Sequence, residues 1–208
     1  MAQKYTTLIF DFDGTLADSM GVLFRVYSSL QDRFGLRPLD DEDIEKMRSM
    51  SPQQVLAFLN ISLFKLPRLL LSGRAKYRDF LSDVEPIQGI PFVLIELQKK
   101  YQMHILTSND QDIVLSFLLE HHLSCFDTVM SERNIFGKDA ALKKILKQLG
   151  KNNNEVLYLG DEVRDVQGCQ KAGIDVAAVT WGLNTEEILK EAKPTYLIKT
   201  PDELLTLL

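Results

Sequence analysis

Apolar residues follow two periods along this chain, and each change of period marks an element boundary. Leu8, Ile9 and Phe10 form a short apolar run that stops at Asp11 and leads into Gly14 and Thr15, the pattern of a buried strand ending in a turn. In "MGVLFRVYSSLQDRFG", Val22, Val26 and Leu30 recur at helical spacing with Leu23, Tyr27 and Phe34 beside them. Gly35 stands where a C-cap belongs, so one helix is expected. "DDEDIEKMRS" has acidic residues in its first turn, and "SPQQVLAFLN" offers Ser51 as N-cap with Pro52 at the first helical position. "LPRLLLSGRAKYRDFL" reads as another helix, weakened at Gly73. From about Asp18 to Val84 only helices are expected, a four-helix insert, and "DVEPIQG" reads as a linker with turn chemistry.

From Ile90 onward strands and helices alternate. Ile90, Val93, Leu94 and Leu97 repeat at helical spacing, "MHIL" is a short apolar strand, "QDIVLSFLLEHH" a helix and "FDTVM" a strand. "AALKKILKQLG" turns Leu142, Ile145, Leu146 and Leu149 inward; "EVLYLG" is a buried strand and "VRDVQGCQKAG" a helix closed by Gly173. "IDVAAVT", "TEEILKEA", "TYLI" and a terminal helix from Asp202 complete the series. Such alternation predicts an α/β fold with a doubly wound parallel sheet, whose ligands gather at the carboxyl ends of the strands. The expected division is a core of residues 1–17 and 85–208 with an all-helical insert at 18–84.

Composition narrows the function. The 208 residues are 45% hydrophobic and 25% charged, ordinary globular material, with a net charge of -5 and neither sign gathered into a block. A basic face for nucleic acid is therefore not expected. No apolar run approaches a membrane span, and "MAQKYTT" has no apolar core of a signal peptide, so a cytoplasmic location is the expectation. Cys125 and Cys169 lack metal spacing and read as reduced, partly buried thiols. Oligomeric state has no signature.

Three strands run directly into polar residues: Asp11 and Asp13, then Thr107, Ser108 and Asn109, then Asp161, Glu162 and Asp165. If the first strand continued, Asp11 and Asp13 would share a face and repel each other, an arrangement that asks for a cation. Mg2+ suits carboxylates from the first and third groups, while hydroxyl and N–H groups around Thr107 and Ser108, opening onto a helix N-terminus, suit a phosphate oxygen.

"DFDGTLADS", "LTSND", "FGKDAAL" and "LGDEVRD" resemble, in order, the four motifs of the haloacid dehalogenase superfamily, specifically its phosphoglycolate phosphatase-like branch, over essentially the whole chain. In that branch the helical insert is a cap domain. The resemblance implies a Mg2+-dependent phosphatase of a small phosphorylated metabolite, phosphoglycolate-like or a sugar phosphate. Asp11 would be the nucleophile forming an aspartyl-phosphate, and Asp13 the acid and then base, its backbone carbonyl also at the metal. Gly14 would permit the tight path beside the phosphate and Thr15 support that turn through its hydroxyl; Thr107, Ser108 and Asn109 would bind the phosphoryl group. Lys138 would balance charge, Asp161 complete the metal site with Asp11 and Asp13, and Asp165 orient Lys138 or a metal-bound water. Arg48, in "MRSMSP", falls in the region of the cap loop that faces substrate, with Arg74 and Arg78 as further candidates.

Local chemistry offers plainer readings beside these. Asp18 and Ser19 read as helix N-cap residues, Asp165 also suits the first turn of a helix by the helix dipole, and His104, His121 and His122 have no partner pattern. A phosphosugar mutase of the same fold and a catalytically silent binding protein are the alternative functions. A dehalogenase would not need Asp13.

Overall fold

The computed structural model describes residues 4–132 and 137–208. Phe136, which opens "FGKDAAL", lies outside the described residues, as do Met1 to Gln3 of "MAQKYTT".

The central sheet holds six parallel strands: β1 (Thr7–Phe10), β4 (Gln102–Thr107), β5 (Thr128–Ser131), β6 (Val156–Gly160), β7 (Asp175–Val179) and β8 (Tyr196–Ile198). Their spatial order is β5-β4-β1-β6-β7-β8. The chain builds outward from β1 to β5, then crosses to β6 on the other side of β1. That reversal is the switch point at which doubly wound sheets bind ligands. β1 and β6 are buried at every position, which is why they read as unbroken apolar runs without alternation.

Helices cover both faces. Leu8 and Phe10 of β1 point into a cluster with α6 (Ile90–Leu97), α7 (Gln111–Glu120) and Leu204 of α11 (Glu203–Leu207). Ile9 points the other way, toward α8 (Lys138–Leu149), α9 (Val163–Ala172) and Leu189 of α10 (Glu186–Glu191). The two-residue period of a strand thus sorts β1 between two cores.

Between residues 20 and 83 the regular structure is helical: α1 (Met20–Ser29), α2 (Gln31–Phe34), α3 (Asp41–Arg48), α4 (Pro52–Phe58), α5 (Leu66–Tyr77) and a 3-10 turn at Arg78–Asp83. These are five α-helices where four were expected. The expected single helix through Phe34 breaks at Leu30, and Gly35 closes the second piece in the left-handed conformation (φ 62°). Helix α5 stops at Tyr77 rather than continuing in α form to Leu81. Two-residue strands that the sequence did not reveal, β2 (Ala17–Asp18) and β3 (Glu85–Pro86), pair antiparallel where the chain enters and leaves this region. β3 falls inside the segment expected to be a linker. Met47, Leu59 and Ile61 form a small core of their own, while Val22, Val26, Leu30 and Tyr77 join the larger one. No helix among the described residues is long and apolar enough to cross a membrane.

Candidate active site

Strand β1 ends at Phe10, so Asp11 and Asp13 do not occupy alternate strand positions; this corrects the same-face argument. Asp11 stays tethered to the sheet because its N–H donates to the Leu159 carbonyl at 2.8 Å. The chain then turns, with the Gly14 N–H donating to the Ala17 carbonyl at 2.9 Å. Gly14 has φ 71°, and a Cβ built there would lie 2.2 Å from Asp161 Oδ2. Glycine therefore supplies both the left-handed backbone and the space that Asp161 fills.

Strand ends bring three buried carboxylates together. Oxygens of Asp11, Asp161 and Asp165 lie within 4.8 Å of one another. Lys138, at the start of α8, places Nζ 2.8 Å from Asp11 Oδ2 and 3.0 Å from Asp165 Oδ1. Burial works against the lysine's charge, but the carboxylates of Asp11 and Asp165 outweigh it and raise its pKa. The Asp165 carboxyl is pushed up to about 6, by burial foremost, despite Lys138 beside it. Asp161 is lifted well above the usual carboxylate range by burial and then by Glu162, Asp165 and Asp11. Lys138 faces three buried carboxylates, and the nearby Arg164 guanidinium is already paired with Glu162, so negative charge is left uncompensated, and the donor atoms are all oxygens. That donor set fits a hard divalent cation.

Asp161 is also gripped by the protein. Its Oδ1 accepts from the Thr15 hydroxyl (2.9 Å) and its Oδ2 from the Leu183 N–H (2.7 Å). The Thr15 hydroxyl thus serves Asp161 rather than only its own turn. Gly182 repeats the logic of Gly14, since a Cβ there would lie 2.3 Å from Asp161 Cβ.

Asp13 keeps different company. Its Oδ1 accepts from the Tyr77 hydroxyl at 2.9 Å and its Oδ2 from Asn109 Nδ2 at 3.2 Å. Part of its surface is open, but the surrounding protein raises its pKa through burial, and the charge of Asp11 adds to that. Thr107 and Asn109 are buried beside it, with the Asn109 N–H donating to Thr107 Oγ1 at 2.9 Å. The Ser108 carbonyl accepts from Arg74 Nε at 3.1 Å.

Arg48 stands apart from this cluster. Its guanidinium donates to the Leu183 carbonyl (3.1 Å), the Gly182 carbonyl (3.4 Å) and Glu45 (3.1 Å). Arg78 pairs with Asp110 and Asp112 at the surface. Glu162 accepts from Arg164 at 2.5 Å and its N–H donates to Asp165 Oδ2 at 3.1 Å. Cys125 and Cys169 are free thiols, Cys169 buried. Ser19 takes the N-cap position of α1 without a side-chain capping bond.

Two features escaped the sequence. Tyr77 ends a helix with no motif around it. The loop "WGLNT" after β7 holds Asp161 through Leu183, reaches Thr15 through Trp181 Nε1 (3.2 Å), and binds the Val163 N–H and the Arg48 carbonyl through Asn184. Its signal was available, because it is a fourth polar segment directly following a buried strand.

Comparison with known proteins agrees with this arrangement. Residues 8–179 match the family model of haloacid dehalogenase-like hydrolases. Over 200 residues, 95% of this chain and 94% of its relative, it is 32% identical to a phosphoglycolate phosphatase of Synechococcus elongatus. It is 27% identical to the pyrophosphatase PpaX of Bacillus cereus, covering 99% and 97% of the two chains. A solved haloacid dehalogenase-like hydrolase of Streptococcus pneumoniae superposes with a TM-score of 0.82 at 22% identity over 98% of each chain, a likeness of fold. The fold and the site define a hydrolase of the α/β type with an acidic centre at the strand ends. The chain belongs to the haloacid dehalogenase-like hydrolases.

Proposed function

We propose that the protein is a Mg2+-dependent phosphatase of a small phosphorylated metabolite, working through an aspartyl-phosphate on Asp11. The observation that carries this reading is the contrast between two neighbouring carboxylates: Asp11 is ion-paired to Lys138, whereas Asp13 is hydrogen-bonded to two neutral donors. The first has a cation against it and suits a nucleophile; the second has its neutral form favoured by burial and suits an acid. Full-length relatives that are phosphatases support the same chemistry.

In the first step an Asp11 oxygen attacks phosphorus, the bond to the substrate's ester oxygen breaks, and Asp13 gives that oxygen its proton. In the second, water attacks the phosphorus of the aspartyl-phosphate, Asp13 takes the proton, and inorganic phosphate leaves as Asp11 is restored. Lys138 neutralises charge as it builds on the phosphoryl oxygens, and Asp165 holds Lys138 in place. Thr107, Ser108 and Asn109 steady the phosphoryl group. Mg2+, held by Asp11 and Asp161 with the Asp13 carbonyl, would supply positive charge to that group. We assign residues 18–84 to a cap over a core of 1–17 and 85–208. Arg48 acts there by tying the cap to the loop that grips Asp161, and so affects specificity only through the seating of the cap.

Phosphate release from a panel of phosphomonoesters tests the reading, with Mg2+ and with a chelator. Turnover that requires Mg2+ is expected. Transfer of the phosphoryl group to a sugar phosphate instead of water would replace it with the mutase.

A further inference from the structure

We infer that the organic part of the substrate is apolar, a single ring or short hydrocarbon held between α1 and α5. The inference rests on the phosphatase reading above, because it places the leaving oxygen at Asp13.

A chamber of about 220 Å3 opens directly onto the Asp13 carboxylate. Val26 of α1 and Leu30, at the break just after it, form one wall, and Leu69 and Gly73 of α5 the other. Tyr77, one turn beyond Gly73, closes the inner end by donating to Asp13. A substrate that offers its ester oxygen to Asp13 therefore projects its alcohol portion between these walls. Cavities of about 150 Å3 lined by aliphatic side chains stay dry and accept a benzene. A carboxylate or second phosphoryl group at the same depth would lose its hydration against Val26, Leu30 and Leu69.

Gly73 is the independent sign that this space is kept open. Glycine inside a helix lowers helix stability. Its φ is not among the positive ones, so the backbone does not require it. Nor does packing: a Cβ built at Gly73 would meet only Val26 Cγ1, at 3.8 Å, an ordinary contact. What the missing side chain provides is room in the chamber. The guanidinium of Arg74 also lines this space, with Nε donating to the Ser108 carbonyl at 3.1 Å, so a preference for a carboxylate is the competing outcome.

Three esters that differ only in the group on the carbon bearing the phosphate test the idea: methyl phosphate (hydrogen), benzyl phosphate (phenyl) and phosphoglycolate (carboxylate). With Mg2+, kcat/KM for benzyl phosphate is expected to exceed both others by at least about tenfold. Gly73→Leu fills the chamber and is expected to erase that preference, with Gly73→Ala falling between. A preference for phosphoglycolate, or a benzyl preference that survives Gly73→Leu, would overturn the inference. Shifts in Tm with benzylphosphonate against methylphosphonate read the chamber without turnover. A larger benzyl shift that shrinks in Gly73→Ala supports it even if Gly73→Leu fails to fold, and equal shifts overturn it. Absence of phosphate release from all three esters, beside a larger benzyl shift, would sink the phosphatase reading and leave the chamber's preference standing.

Discussion

The Tyr77 hydroxyl donates to Asp13 Oδ1 at 2.9 Å, joining the end of α5 to the turn that follows β1. Burial, and then the neighbouring Asp13 charge, hold the phenol's pKa well above its ordinary value, so it remains a donor across the working pH range. In Tyr77→Phe the carboxyl loses the group that orients it. A hydrogen bond to the carboxylate that forms as Asp13 gives up its proton contributes about 1.5–3 kcal/mol, so kcat for an alkyl phosphate is expected to fall by at least about tenfold. The loss should be smaller for 4-nitrophenyl phosphate, whose leaving group hardly needs a proton. Equal losses on both esters would mean that Tyr77 only packs.

Lys138 lies between Asp11 and Asp165, and its removal leaves both carboxylates buried without their cation. Lys138→Met is expected to lose turnover and about 3–5 kcal/mol of stability in the presence of chelator. Mg2+ should restore more stability to the variant than it adds to the parent, since binding to the folded state alone stabilises it. Urea unfolding with chelator and with Mg2+ measures both effects.

Gly14→Ala sets two faults in one place: a Cβ 2.2 Å from Asp161 Oδ2 and an L side chain at φ 71°. The backbone term alone costs about 1–2 kcal/mol. Displacement of Asp161 adds a weaker response to metal, so the rise in Tm on Mg2+ titration is expected to shift to higher concentration. An unchanged titration curve would remove Asp161 from the cation site.

His104 is buried on β4, and neither ring nitrogen finds a hydrogen-bond partner among the described residues. Burial lowers its pKa from the ordinary 6.5. Above that value folded and unfolded states are both neutral there. Below it the unfolded chain takes up a proton that the folded one resists, so stability present above pH 6.5 is lost as pH falls, by at most about 1.4 kcal/mol per pH unit from this group. Asp165, pushed up to about 6, titrates in the same range with the opposite sign, so the comparison must be made against His104→Leu. The variant should lose less stability than the parent between about pH 7.5 and about pH 5.5. Parallel curves would show that the imidazole is not resisting protonation.

Fold class and strand-end chemistry were legible because buried parallel strands leave unbroken apolar runs, as in "LIF" and "VLYLG", that stop abruptly at polar residues. The helix break at Leu30 was not, because Val22, Val26, Leu30 and Phe34 keep helical spacing straight through it. Strands of two residues, β2 and β3, are too short to show a period. Site geometry was legible only in part. Motif order brought Asp11, Asp161, Asp165 and Lys138 into one group, and the structure assembles them. Tyr77 reaches Asp13 across 64 residues, a tertiary contact that no local pattern encodes, whereas the 181–184 loop lies where a polar segment after β7 could have been suspected, only its partners Asp161 and Thr15 being hidden. Arg48 was expected in a loop but is the last residue of α3, and its guanidinium binds main-chain carbonyls, a partner invisible in sequence.

The central claim is the phosphoryl group on Asp11, and acid-quenched mass spectrometry of the protein mixed with substrate and Mg2+ tests it most directly. One added phosphoryl group is expected on the peptide carrying Asp11, transient in the parent and absent from Asp11→Asn. Turnover of the parent with no such adduct, or an adduct and turnover that persist in Asp11→Asn, would contradict the assignment of Asp11 as nucleophile.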